Sequence, residues 1–155
     1  MIEIKNLSKA FGDLKAVDDI SFSVQRGEVL GFLGPNGAGK STTMRMIYRA
    51  SDVGGGSLHI LGYDASTPAN DRAIKAGVGV VHQEDNLDQD LTVAQTIEVF
   101  CRFYGLYGAA AADKVDELLA FAELSHRRDN LISALSGGMK RRLMVARGLI
   151  GTPRL

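Results

Sequence analysis

The chain has 155 residues, 45% of them apolar, and its 18 basic side chains balance 18 acidic ones, the composition of an ordinary soluble domain with one buried core. With no charge surplus there is no field toward nucleic acid, so no nucleic-acid partner is expected, and the apolar runs fall far short of the about 20 residues a spanning helix needs. Cys101 stands alone, which excludes an internal disulfide, and residues 1–5 alternate like a strand instead of forming a signal peptide's apolar segment; a reducing, cytosolic setting is expected.

The first half reads as β-rich. Residues 2–7 and 21–24 alternate apolar and polar side chains, and residues 57–61 form a further short strand after the flexible turn Gly54-Gly55-Gly56. Residues 28–33 read as a short buried strand, with residues 42–47 opening a helix. Residues 78–81, Val-Gly-Val-Val, are a continuous apolar run of the kind buried in a parallel sheet. The second half reads as helical. Thr92 and Gln95 have capping-box spacing, and Val93, Ile97, Phe100, Cys101 and Tyr104 follow at helical intervals until Gly105. Residues 109–122 give a second helix. A third starts after Ser136, carries Met139, Leu143, Ala146 and Ile150, and stops at Gly151. Cys101 falls in the first of these helices, where a packed thiol is expected.

The segment Gly34-Pro35-Asn36-Gly37-Ala38-Gly39-Lys40-Ser41-Thr42 satisfies G-x-x-x-x-G-K-[ST], the phosphate-binding loop. Glycines let the loop turn its N–H groups inward around phosphate oxygens. Lys40 supplies a cation for the β- and γ-phosphates, and the Ser41 hydroxyl a ligand for Mg²⁺. A strand before the loop and a helix after it would place the phosphates at a positive helix N-terminus. ATP and Mg²⁺ are the expected cofactors.

A second segment, Leu135-Ser136-Gly137-Gly138-Met139-Lys140-Arg141-Arg142, repeats the chemistry: a Ser in N-cap position, then two glycines opening a helix. Alone it is a weak signal and reads more readily as a plain capped turn. About a hundred residues after a phosphate loop, it resembles the signature motif of ATP-binding cassette (ABC) ATPases. Gln83, after residues 78–81, matches that family's Q-loop, and Phe11 matches the aromatic on which adenine stacks. The resemblance covers essentially the whole chain. It implies an α/β fold: a P-loop nucleoside triphosphate hydrolase core with an N-terminal antiparallel β portion and a helical signature subdomain. On that reading residues 1–155 are one incomplete nucleotide-binding domain. Its parts are a β-rich core to about residue 85, a helical subdomain to about 140, and a return to the core.

The same resemblance implies roles. Lys40 and the N–H groups of residues 37–41 hold the β- and γ-phosphates, Ser41 ligates Mg²⁺, and Thr42 contacts the α-phosphate. Gln83 approaches Mg²⁺ and the attacking water. Ser136, Gly137 and Gly138 act in trans, capping the nucleotide held by a partner subunit in a homodimer. A separate transmembrane permease is the implied partner, with the chain on the cytoplasmic face of the membrane. Residues 135–143 (LSGGMKRRL) and 83–88 look like the exporter branch that includes nodulation-factor and daunorubicin-resistance ATPases.

The chain also departs from the family pattern. It is expected to be truncated before the Walker B strand, which carries the carboxylate and catalytic Glu, so negligible turnover is expected of it alone. A non-catalytic nucleotide-binding fragment and a soluble, non-transport ABC protein are the alternatives. His82 stands where the family usually has Pro, and residues 52–56 replace a Pro-containing turn. Glu84 and Asp85 are expected in a solvated or permease-facing loop, and Lys140, Arg141, Arg142 and Arg147 on a solvated helix face.

Overall fold

The strand expected at residues 2–7 runs on beyond them in the computed structural model, which describes residues 1–155. β1 (Ile2–Phe11) and β2 (Leu14–Val24) form one antiparallel hairpin, with Phe11 opposite Leu14 across the two-residue loop Gly12-Asp13. Gly12 has φ 58, the positive value such short loops favour. β3 (Gly55–Ile60) and β4 (Tyr63–Asp64) extend the sheet in the order β2-β1-β3-β4, every pairing antiparallel. Glycine is required at position 56, which has φ 78 and where a Cβ would overlap the Asn6 carbonyl. The glycine run is therefore the tightly packed entry to β3 and not the flexible turn expected.

The register fixes which face is buried. Ile2 pairs with Ile60 and Ile4 with Leu58, and all four side chains are buried, each stabilising by about 1.5–3 kcal/mol. α1 (Lys40–Ile47) adds Met46 and Ile47 to this core, and α2 (Asp71–Gly77) adds Ile74. α2 and β4 are absent from the sequence expectation. The buried Arg49 side chain, 2.7 Å from Asp71, ties the end of α1 to the start of α2.

Two expected strands do not form. Residues 28–33 belong to no ladder, and Val29 and Leu33 are 95% and 93% exposed. Phe32 gains an aromatic partner there, its ring 5.6 Å from that of Phe22 on β2. Residues 78–81 also lie outside any ladder and are half-buried; Val81 packs against Gly148. A strand is stable only with a neighbour to accept its N–H groups, and neither segment is given one within these residues.

By contact density residues 1–78 with 154–155 form one unit and residues 79–153 another. In the second unit, α3 (Val93–Phe103) starts at Thr92, whose side chain accepts from Gln95 N while Gln95 accepts from Thr92 N. α4 (Gly108–Phe121) and α5 (Gly137–Gly148) complete a helical core around Ile97, Leu118, Leu119, Leu124, Ile132 and Leu143. The three expected helices are present, with α5 ending at Gly148 instead of running on to Gly151. No helix is long and apolar enough to cross a membrane.

Cys101 has no exposed surface, and burial pushes its thiol pKa up. A raised pKa leaves less thiolate at neutral pH, so a thiol reagent should leave the native chain unmodified and label it only after unfolding. Native labelling at the rate of a free thiol would contradict this packing.

Candidate functional site

α1 begins at Lys40 itself, with Gly39 as N-cap at φ 81. No side chain caps this helix and no acidic residue stands in its first turn, so its N-terminal N–H groups and positive dipole end meet the exposed loop of residues 34–38. The loop is shaped from behind. A Cβ at position 39 would overlap the Ala16 carbonyl oxygen and lie 3.2 Å from Val17 on β2. Buried Thr43 fixes the turn: its N and Oγ1 both donate to Gly39 O, at 2.8 and 3.0 Å. Within the loop, Ala38 N donates to Pro35 O at 3.3 Å.

The Lys40 side chain folds back over this loop. Its Nζ donates to Gly34 O and Pro35 O, both at 2.6 Å. An ammonium held against the loop backbone, at an uncapped helix start, is an arrangement suited to an anion of several oxygens. The Ser41 hydroxyl is exposed beside it. Phe11 lies at the tip of the β1–β2 hairpin, on the strand that pairs with the one backing Gly39. Phe11 is 55% exposed, with Lys9 Nζ 5.6 Å from the ring centroid, leaving surface on which a flat group can stack.

The second anion-type helix start is Ser136. Leu135 is buried and extended, and the Ser136 side chain accepts from Met139 N at 3.3 Å. Backbone bonds fix its approach: Val93 N donates to Asn130 O, and Ile132 N to Leu91 O, both at 3.0 Å. Gly137 and Gly138 have open space where a Cβ would stand, so nothing within the chain demands glycine there. That vacancy suits close approach by something outside the chain.

Gln83 is exposed in an irregular segment of the same unit. Around it the structure bears on two expectations. Glu84 and Asp85 are exposed, as expected, and the Asp85 carboxylate also pairs with Lys140 Nζ at 3.3 Å. The basic residues of α5 are only in part the solvated face expected: Arg141 and Arg142 are exposed, whereas Arg147 is buried. Arg142 pairs with Glu123 at 2.7 Å, and Arg147 is only 8% exposed, its guanidinium donating to Asn86 and lying 4.5 Å over the Phe100 ring. Burial pushes the Arg147 pKa down, opposed by the Asp85 carboxylate. Spacing along the chain gives no sign of these contacts, because their partners lie far upstream.

Phe11 and residues 34–42 thus fall in the first unit, and Gln83 with residues 136–138 in the second. Ala16, Val17 and Thr43, which shape the loop, escape the motif because the motif records the loop and not its backing.

A family described as "ABC transporter" matches residues 17–155. Among curated relatives, "Nod factor export ATP-binding protein I" of Ralstonia nicotianae is 43% identical over 153 residues, covering 99% of this chain and 47% of the relative. The protein of the same description in Bradyrhizobium diazoefficiens is 46% identical over 154 residues, covering 99% of this chain and 50% of that one. The chain therefore spans about half the length of the curated relatives it matches. Among solved structures, a dimeric post-hydrolysis ATP-binding cassette bound to ADP and Pi superimposes with a TM-score of 0.82 at 26% identity, over 99% of this chain and 71% of that one. The fold of cbiO1 from Clostridium perfringens, part of an ABC transporter complex, matches with a TM-score of 0.88 at 24% identity, over 98% of this chain and 62% of that one. The α/β cassette fold expected from the motifs is the fold observed.

Proposed function

This chain belongs to the ABC transporter family, and on that premise we propose that it is the nucleotide-binding part of a transporter ATPase. It would hold ATP and Mg²⁺ for a two-fold dimer that drives a separate membrane permease. The observation that carries this reading is the uncapped start of α1, with Lys40 Nζ over the Gly34 and Pro35 carbonyls. The donor set fits the ligand: backbone N–H groups and an ammonium for phosphate oxygens, and an exposed hydroxyl at Ser41 for Mg²⁺. When bound, Mg²⁺ spreads the charge of the β- and γ-oxygens.

Each residue then has a task. Lys40 exchanges its loop carbonyls for phosphate oxygens, and Thr42 approaches the α-phosphate. Phe11 stacks on the adenine. Gln83 orients water and the metal. Ser136, Gly137 and Gly138 close over the nucleotide held by a second copy, where the open space at both glycines admits phosphate oxygens. The resemblance in sequence to the Nod factor export proteins favours outward transport, with the chain seated on the cytoplasmic face of the membrane.

We further infer that the 155-residue polypeptide binds without appreciable turnover. A positioned base contributes about 10²–10⁴-fold, and of the acids beside Gln83, Asp85 is engaged by Lys140. Purified chain should release phosphate from ATP no faster than its Lys40→Ala variant. Turnover clearly above that variant would overturn the inference. The transport reading is tested in the longer protein that contains these residues: it should co-purify with a membrane permease, and its ATP hydrolysis should rise when the two are reconstituted. Association with ribosomes or DNA instead would overturn it.

A further inference from the structure

Residues 82–89 surround Gln83 and contain neither helix nor strand. One helix nevertheless holds them along their length. Arg141 of α5 donates to His82 O, immediately before Gln83. Lys140 Nζ pairs with Asp85 at 3.3 Å and donates to Gln89 Oε1 at 3.0 Å. Arg147 donates through Nη2 to Asn86 Oδ1 and through Nη1 to Asn86 O. The segment is closed locally as well, since Asp85 Oδ1 accepts from Leu87 N at 3.1 Å and the Leu87 side chain is buried in the helical core.

Arg147 is the least expected of these contacts. Its neighbours on α5, Leu143, Met144 and Ala146, all enter the apolar core, as does Ile150 just beyond the helix. A cation there carries a desolvation cost that a leucine would not. What the guanidinium adds is geometry. Two N–H groups of one rigid fork reach two oxygens of one residue, fixing both the side chain and the carbonyl of Asn86. The Phe100 face beneath it sets the plane of the fork. Lys140, meanwhile, stands two residues after Gly138, in the first turn of α5.

We propose that Arg147, supported by Lys140, is a positioning residue for Gln83: it clamps the Gln83 segment to the signature helix, so that the anion-capping start of α5 and Gln83 shift as one piece. The role of Gln83 rests on the function proposed above, whereas the clamp itself does not.

Amide hydrogen exchange on the 155-residue chain, without nucleotide, tests the clamp. Arg147→Lys keeps the charge but loses the fork, and Asn86→Ala removes the side-chain acceptor while leaving the backbone carbonyl and α5 untouched. Each should raise exchange about tenfold at Leu87, whose N–H Asp85 Oδ1 holds within the segment, and the double variant should exceed neither single one. Protection in α4 should be unchanged. Unaltered exchange at Leu87, additive effects, or loosening spread evenly over α3 and α4 would overturn the clamp. A second measurement uses the longer protein assembled with its permease. There Arg147→Lys should lower kcat about tenfold while KM for ATP stays within about twofold, because the phosphate loop is untouched. Raised exchange with unchanged kcat would leave the clamp standing and remove the catalytic role assigned to Gln83.

Discussion

Replacing Gly39 by alanine is expected to dismantle the phosphate loop and destabilise the domain together. Two costs add. A residue with a Cβ at φ 81 pays about 1–2 kcal/mol for the left-handed conformation. The new Cβ also overlaps the Ala16 carbonyl, a backbone atom that cannot rotate away, and overpacking of this kind costs about 1–3 kcal/mol. Together these predict a loss of roughly 2–5 kcal/mol, or roughly 5–15 °C in melting temperature for a chain of this size. Gly37→Ala is the matched comparison. It has φ 86 but open space around a Cβ, so it carries only the conformational cost. Thermal melts should therefore rank the parent above Gly37→Ala and Gly37→Ala well above Gly39→Ala, with Mg²⁺–ATP binding absent in the last. A Gly39→Ala melt within about 2 °C of the parent would contradict the close approach of the loop to β2.

Lys40→Ala should separate binding from folding. The side chain contributes nothing to the core: Nζ is bonded only to Gly34 O and Pro35 O on the exposed loop. Removing it should move the melting temperature by less than about 2 °C. Binding should suffer far more, since hydrogen bonds to charged groups are worth about 1.5–3 kcal/mol each, which predicts roughly 10- to 200-fold weaker Mg²⁺–ATP binding. Isothermal titration of the two variants beside the parent checks both halves. A Lys40→Ala chain that unfolds would show that the lysine holds the loop together, and one that binds ATP normally would show that the anion site lies elsewhere.

What the sequence reveals and what it hides divides along local and distant chemistry. Thr92 and Ser136 are legible as helix starts because a cap is settled within three residues, and the structure shows both side chains accepting the expected N–H. The loop of residues 34–42 is legible for the same reason. Residues 28–33 and 78–81 are not: an apolar run suggests burial, but a strand exists only when another segment pairs with it, and that is a property of neighbours. The Ser8–Gly55 and Ile4–Leu58 pairings show the converse, with β3 stabilised by residues some fifty positions away. Arg147 and Lys140 illustrate the limit for side chains. In a list of charges they look like a solvated stripe, yet Asn86 and Asp85 are their partners and Phe100 supports one of them. Gly56 looks like slack and is instead the point where β3 meets the Asn6 carbonyl.

The reading of residues 34–42 as a triphosphate site is tested most directly by equilibrium titration of the 155-residue chain with ATP, ADP and AMP in the presence of Mg²⁺. Because Lys40 and the N–H groups at the start of α1 address phosphate oxygens, affinity should rise with each phosphate, saturate at one nucleotide per chain, and weaken as salt is added. Equal affinity for AMP and ATP, or no saturable binding at all, would contradict it.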